Sequence, residues 1–490
     1  MDNAYQSSHD HRRQSPGAPQ AAEWNFYQKR LGDELKRTAD PRLARAKADL
    51  AWTVMLHKQG LIEADTARQI LRVLTAEGAG GEPLLKQKLN GDEDTASAVN
   101  LGRTLQEPMS RIALREKLLQ ILDLVLATQE ALLDTAEANV DTVMAGQTHL
   151  SHAQPTTYGA YLIAVHDGLR RGREQLELAY THTNECSGGC GACSGSGWDV
   201  DRKLVSDLLG FGALVESAYD CEPGQDHALT ILFAVTNISV LLSRTAMDFN
   251  IWGMEEVGMV DVAAEWRGVS SLMPQKAIPG SQYERIRLEA SDVIGDMITG
   301  VVSNKGEPYS DMLPIYEGWR AALRAMCHVE KALGFLKGLL PATTPQRERM
   351  REYASEGYSA TPDLAVLMIR DKGYGSRRAH RICATFVRMA RERRIKACDA
   401  NGGLLDEAAA VVNEEPPNLT DAEVQTALDP VQFLERHNTT GDPSPDESTR
   451  MIEARRCALE EARKTQTRRM AKLEQADQQL RGEVDRIVAE

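Results

Sequence analysis

The chain has 490 residues, 42% hydrophobic and 26% charged, which gives it enough apolar side chain for a large core and room for about three domains. A formal net charge of −14 argues against general affinity for nucleic acid, which needs a net basic face, but still allows a basic patch around an anionic substrate. Aromatic residues are only 5%, while Ala, Leu, Glu and Arg dominate long stretches, a balance that favours helix because these side chains lose little rotamer freedom there.

Residues 1–22 are polar, with scattered His, Arg, Pro and Ser and no apolar central region, so they read as a disordered arm and not as a signal peptide. Short helices with polar breaks are expected over 23–105, with a flexible loop at Gly78, Gly80 and Gly81. From Lys117 the pattern changes. Leu118, Ile121, Leu122, Val125, Leu132 and Ala136 recur at helical spacing, which predicts a long amphipathic helix with a wide apolar face. Further long helices are predicted from Pro155 to Thr181, from His227 to Met254 and from Ser281 to Ser303. The helix from His227 to Met254 is apolar nearly all round and should be central. Its most apolar run, Ile231 to Leu242, is too short to span a bilayer and carries Thr236, Asn237 and Ser239, so no membrane partner is expected.

Long helices joined by irregular segments imply a bundle with functional loops at its ends, here over 106–350. A C-terminal helical domain is expected over 351–490. Its start signals are capping boxes at Thr420-Asp-Ala-Glu423 and Ser444-Pro-Asp-Glu447, and Asn413 to Pro417 reads as a linker. The charged, Gln-rich tail after Ala458 reads as a solvated helix. Eight cysteines without a secretory signal suggest free thiols in a reducing, cytoplasmic compartment.

Three polar segments stand out. In Asp141 to Pro155, Thr148, His149, His152 and Gln154 precede a long helix; a histidine there can move a proton near neutral pH, and hydroxyl and amide groups can orient a carboxylate. In Val269 to Gly280, Ser270, Ser271 and Lys276 can place a hydroxyl and a cation near one small anion. Either segment could equally be an ordinary polar loop. Cys186, Cys190 and Cys193 have the C-x3-C-x2-C spacing of some iron–sulfur enzymes, but radical enzymes of that type use a βα barrel and this chain has no βα alternation. Packing of small residues is the expected role of that stretch.

Taken together, Gly146-Gln-Thr-His-Leu150, Ala153-Gln-Pro155 and Ser270-Ser-Leu-Met-Pro-Gln-Lys276 resemble the argininosuccinate lyase branch of the aspartase/fumarase superfamily. Asp199-Val-Asp201-Arg202 with Leu208-Leu-Gly-Phe211, Leu428-Asp429-Pro430 and Gly441-Asp-Pro-Ser-Pro445 extend the likeness from about residue 24 to about residue 460. The resemblance implies an all-α, three-domain subunit with a central long-helix bundle, forming a homotetramer whose active sites are shared between subunits. It implies a carbon–nitrogen lyase that acts on a small-molecule carboxylate by β-elimination, with no metal and no organic cofactor. The family's catalytic base then corresponds to Ser270, with Ser271 next in line. Lys276 would bind the substrate carboxylate, His149 would assist the leaving group, and Thr148 and Gln154 would orient a carboxylate.

Several positions depart from the family pattern. Ile278 replaces a carboxylate-binding Asn, and Tyr283 replaces the Glu that partners the histidine. In Gly102-Arg-Thr-Leu-Gln-Glu107, Arg103 and Thr104 remain available to bind substrate, but Leu105 and Gln106 replace a polar pair. Asp-Arg-Asp becomes Gly224-Gln225-Asp226, and Asp311-Met-Leu-Pro314 stands where Tyr-Asn-Lys-Asp is expected. These losses fall at substrate contacts more than at fold positions. The expectation is therefore a lyase acting on an N-substituted aspartate other than argininosuccinate, with a non-catalytic scaffold as the alternative.

Overall fold

A computed structural model describes residues 41–104, 108–310 and 312–490; the arm expected over 1–22 and the Leu105, Gln106 and Asp311 positions lie outside them. The chain is all-α in class, with seventeen α-helices among the described residues and only short strands. Five long helices form its centre: α1 (Met109–Glu137), α2 (Tyr158–Thr183), α3 (Asp226–Trp252), α4 (Ser281–Asn304) and α5 (Met312–Ala342). Within this bundle α4 packs on α3 and α5, α1 packs on α2 and α5, and α2 packs on α3.

The apolar spacing predicted for α1 is the face it buries: Leu118, Ile121, Leu122, Val125, Leu132 and Ala136 all lie in the main core, with Leu162 and Leu169 of α2 and Ile231, Val235 and Ile238 of α3. By length and composition, α3 could cross a membrane. The run from Ile231 to Leu242 is only its middle, so its shortness excludes nothing. What defines α3 is its packing between α2, α4 and α5, the position of a core helix. One stripe of α3 stays uncovered. Phe233, Val240, Met247 and, just beyond the helix, Met254 recur at seven-residue intervals and are all exposed in the single chain. On α4, Leu288, Ile298 and Val302 are likewise exposed.

Residues 143–157 are not the irregular loop that the sequence suggested. They form an antiparallel hairpin of β1 (Val143–Thr148) and β2 (Ser151–Thr157), so α2 begins only at Tyr158, capped by the Thr157 side chain.

A separate C-terminal core gathers Tyr358, Leu364, Phe386, Leu405 and Val424. At its Thr420 cap the full capping box is present. At Ser444 only half is: its side chain accepts from the Glu447 amide, while the Glu447 carboxylate accepts from the Gly441 amide and from Arg450.

The last helix, α6 (Pro445–Ala489), overturns the solvated-tail reading. It leaves the C-terminal core and runs along the bundle to the N-terminal helices, so that Leu480, Val484 and Ile487 complete a core with Ala48, Trp52, Met55 and Phe211. Ile452, Leu459, Gln466, Leu480 and Ile487 are buried at multiples of seven residues, and Leu473 packs at the intervening step. A seam this narrow suffices for helix packing but is easily overlooked among so many charges.

Candidate active site

The Ser270 loop is closed at its base by β3 (Gly268–Val269) and β4 (Ala277–Ile278), paired antiparallel. Its C-terminal stem is tied to α3, where the Asn250 side-chain amide donates to the Gly280 carbonyl at 3.0 Å. A Cβ at Gly280 would sit 2.1 Å from that nitrogen, so only glycine permits the approach. Inside the loop the Ser270 Oγ accepts from two backbone amides, Met273 at 3.0 Å and Leu272 at 3.3 Å. Two N–H dipoles aimed at one oxygen favour negative charge on it. Ser271 and Lys276 are exposed on the same loop, and Leu272 is 85% exposed.

The hairpin carries the second set of candidates. Its tip is a two-residue turn in which both His149 (φ 55°) and Leu150 (φ 57°) are left-handed, as the twist of a tight hairpin requires. Neither is glycine, so each holds this conformation at a cost of about 1 kcal/mol. Strain of this kind is concentrated at functional positions. Thr148, His149 and Gln154 all face outward, and Leu150 is 81% exposed. His152 lies lower on β2, edge-on to Tyr353 at 5.5 Å. Burial, and then the nearby Arg391 charge, push its imidazole pKa down and favour the neutral ring.

The third set is placed differently from expectation. The Arg103 guanidinium is buried, ion-paired with Asp49 and 5.3 Å from the Trp52 ring, so it anchors its segment from within. The next residue reaches a group that no motif singles out. The Thr104 hydroxyl donates to Glu222 Oε1 at 3.1 Å, and the Tyr316 hydroxyl donates to Glu222 Oε2 at 3.0 Å. Glu222 is buried, and desolvation raises its carboxyl pKa against the lowering effect of these two hydroxyls. These contacts span 118 and 94 residues of sequence, so no local motif could have signalled them.

Among the described residues, no hydrogen bond or ion pair joins the serine loop to the hairpin. A hollow of about 380 Å³ between Glu348, Arg351, Glu352, Lys396 and Cys398 contains none of the predicted site residues. The cysteine trio is divided between packing sites: Cys186 lies in the core around Trp52, and Cys190 packs with Val215 and Cys221. Burial pushes the Cys186 thiol up to about 11. Among the described residues, the only group of three or more His, Cys, Asp or Glu residues with ligand atoms mutually within 4.8 Å is Glu289, Asp292 and His328, on α4 and α5.

Comparison with known proteins follows the same lines. Residues 68–295 match the lyase family. Argininosuccinate lyase of Methanothrix thermoacetophila is 29% identical over 457 residues, covering 90% of this chain and 92% of that one. The same enzyme of Methanocaldococcus jannaschii is 27% identical over 445 residues, covering 87% and 90%. Among solved structures, an EDDS lyase variant with bound fumarate superposes with a TM-score of 0.86 at 28% identity, covering 93% of this chain and 96% of that one. Over most of its length the chain is thus similar to argininosuccinate lyases and to EDDS lyase. It is a carbon–nitrogen lyase by type. Class II fumarase of Schistosoma mansoni shares its fold, with a TM-score of 0.68 at 15% identity over 82% of this chain and 92% of that one.

Proposed function

We propose that this lyase eliminates an amine from an N-substituted aspartate or related succinyl compound, releasing fumarate or a similar unsaturated acid, and that argininosuccinate is not its substrate. The observation that carries this reading is the Ser270 Oγ held under the amides of Leu272 and Met273. These donors stabilise the alkoxide that a serine needs in order to act as a base. That alkoxide takes the substrate's Cβ proton, and the C–H electron pair forms the new double bond as the C–N bond breaks. Lys276, on the same loop, pairs with the carboxylate onto which negative charge spreads in the transition state. His149 delivers a proton to the departing nitrogen, while Thr148 and Gln154 orient a carboxylate. Ser271 is the neighbouring hydroxyl, and Arg103 holds Thr104 in place.

The hairpin and the serine loop meet across subunits of a homotetramer in this reading. The exposed apolar stripes of α3 and α4 support it, because contiguous apolar surface of this kind is an association face. The relatives that are argininosuccinate lyases, and the EDDS lyase structure with bound fumarate, support the reaction class. Ile278 and Tyr283 carry the argument against argininosuccinate, since loss of one carboxylate-binding donor costs about 1–4 kcal/mol.

The experiment is ultraviolet detection of unsaturated acid across a panel of N-substituted aspartates, comparing wild type with Ser270→Ala. Product that depends on Ser270 supports the proposal. A folded tetramer inert toward the whole panel favours the second reading, a scaffold without chemistry, which the burial of Tyr283 in the family's glutamate position suggests.

A further inference from the structure

Where α4 meets α5, two carboxylates and an imidazole converge, away from the serine loop and the hairpin. Glu289 and Asp292 stand at i and i+3 on α4, so they project from the same side of that helix. His328 approaches from α5. Its Nδ1 lies 2.6 Å from Glu289 Oε2 and 3.6 Å from Asp292 Oδ2. One ligand atom from each of the three lies within 4.8 Å of the others. Glu289 and His328 are largely covered, whereas Asp292 is half-exposed and leaves a path from solvent. Two cations are neighbours of the group. Lys331, on the next turn of α5, stands 3.6 Å from the same Glu289 oxygen, and Arg285 precedes Glu289 by one turn of α4. An ion bound here therefore competes with Lys331 for Glu289.

Nitrogen and oxygen ligands of a tetrahedral zinc ion, each at about 2.0–2.2 Å, stand roughly 3.3–3.6 Å from one another. The separations of 2.6 and 3.6 Å bracket that spacing, so side-chain shifts of about 1 Å or less admit an ion. One imidazole with two carboxylates suits zinc or another borderline divalent metal better than magnesium or calcium, which prefer oxygen alone. We propose that Glu289, Asp292 and His328 bind one divalent transition-metal ion that clamps α4 to α5. The ion replaces the proton between His328 Nδ1 and Glu289, and the neutral ring then carries its hydrogen on Nε2. The clamp lies about 12 Å along α4 from Ser281, where the serine loop ends. It is a structural site that takes no part in the elimination, so it stands whether or not the lyase reading does.

Zinc and cobalt are the probes. The untagged full chain, stripped with EDTA and desalted, should bind about one zinc ion per subunit in calorimetry, and excess zinc should raise its thermal midpoint by about 2 °C or more. Cobalt should give visible bands without thiolate charge-transfer absorption, because the competing ligands are the eight cysteines. Asp292→Asn, a change at a half-exposed position that should fold as wild type, should weaken zinc binding about tenfold, and His328→Gln should weaken it further. Lys331→Met removes the competing ammonium and should tighten binding several-fold. Wild-type affinity in Asp292→Asn or His328→Gln, thiolate bands with cobalt, or no saturable binding below about 100 μM zinc overturns the proposal.

Discussion

Tyr283 lies flat on Phe249, with ring centroids 4.8 Å apart and planes 3° from parallel, and its hydroxyl meets Thr343 Oγ1 at 2.7 Å. Tyr283, which the sequence comparison reads as standing in place of a glutamate, is therefore part of the core. Restoring the acid should not restore a catalytic pair. Tyr283→Glu would bury a carboxylate against Phe249 and should destabilise the protein by about 3–5 kcal/mol, whereas Tyr283→Phe, losing one hydrogen bond, should cost about 1 kcal/mol. Urea unfolding of both variants measures the difference. A stable Tyr283→Glu enzyme would contradict the packing.

On the exposed loop, Ser270→Ala should lower kcat about a thousandfold or more on any substrate that wild type eliminates, with the unfolding midpoint unchanged. Ser271→Ala should lose much less, because among the described residues no backbone amide donates to its Oγ. Comparable losses in the two variants would remove the basis for choosing Ser270.

The proposed sharing of active sites between subunits has a direct consequence. If His149 and Ser270 of one site come from different subunits, mixed tetramers of His149→Ala and Ser270→Ala chains contain some sites with both groups intact. Unfolding and refolding the two inactive proteins together should recover a measurable fraction of wild-type activity. No recovery from confirmed mixed tetramers would place both residues on one chain. Met247→Glu, on the uncovered stripe of α3, should shift the oligomer towards smaller species in sedimentation.

The C-terminal helix is tested at Leu480, which is 4% exposed. Leu480→Ala should cost about 2–4 kcal/mol and Leu480→Asp more, because the N-terminal core around Trp52 would be left open. A change of less than about 0.5 kcal/mol, typical of surface sites, would return α6 to the status of a solvated tail.

The same helix sets an acid limit. Arg455 grips Asp167 of α2 through two hydrogen bonds, at 2.8 and 2.5 Å, and His166 adds a third at 3.1 Å. Burial alone would raise the Asp167 carboxyl, but these partners outweigh it and hold the group well below the usual carboxylate range. A depressed folded pKa gives stability that is fully present above the unfolded value of about 4 and is lost as pH falls below it. Thermal unfolding between about pH 5 and pH 2.5 should show this loss, on the order of 1–3 kcal/mol, and Asp167→Asn should flatten the slope. An unchanged slope would mean the pair is not coupled to folding.

What could be read along the chain were the parts of this protein that depend on local periodicity and local partners. The apolar spacing of α1 and the start signal at Thr420 could be read because the interacting residues lie within a few positions of one another. The serine segment was legible in the same way, as was the resemblance it carries. The hairpin at 143–157 was missed because its ladder joins segments whose polar side chains mask the strand pattern, and the seam of α6 was missed because one apolar residue every two turns is faint against charged neighbours. It took the folded chain to place Ser270 Oγ under two amides, to turn Arg103 inward to Asp49, and to bring Glu222 to Thr104 and Tyr316. Those outcomes depend on how the loops at the bundle's end fold over one another, where burial sets the strength of each polar contact and no repeat along the chain records it.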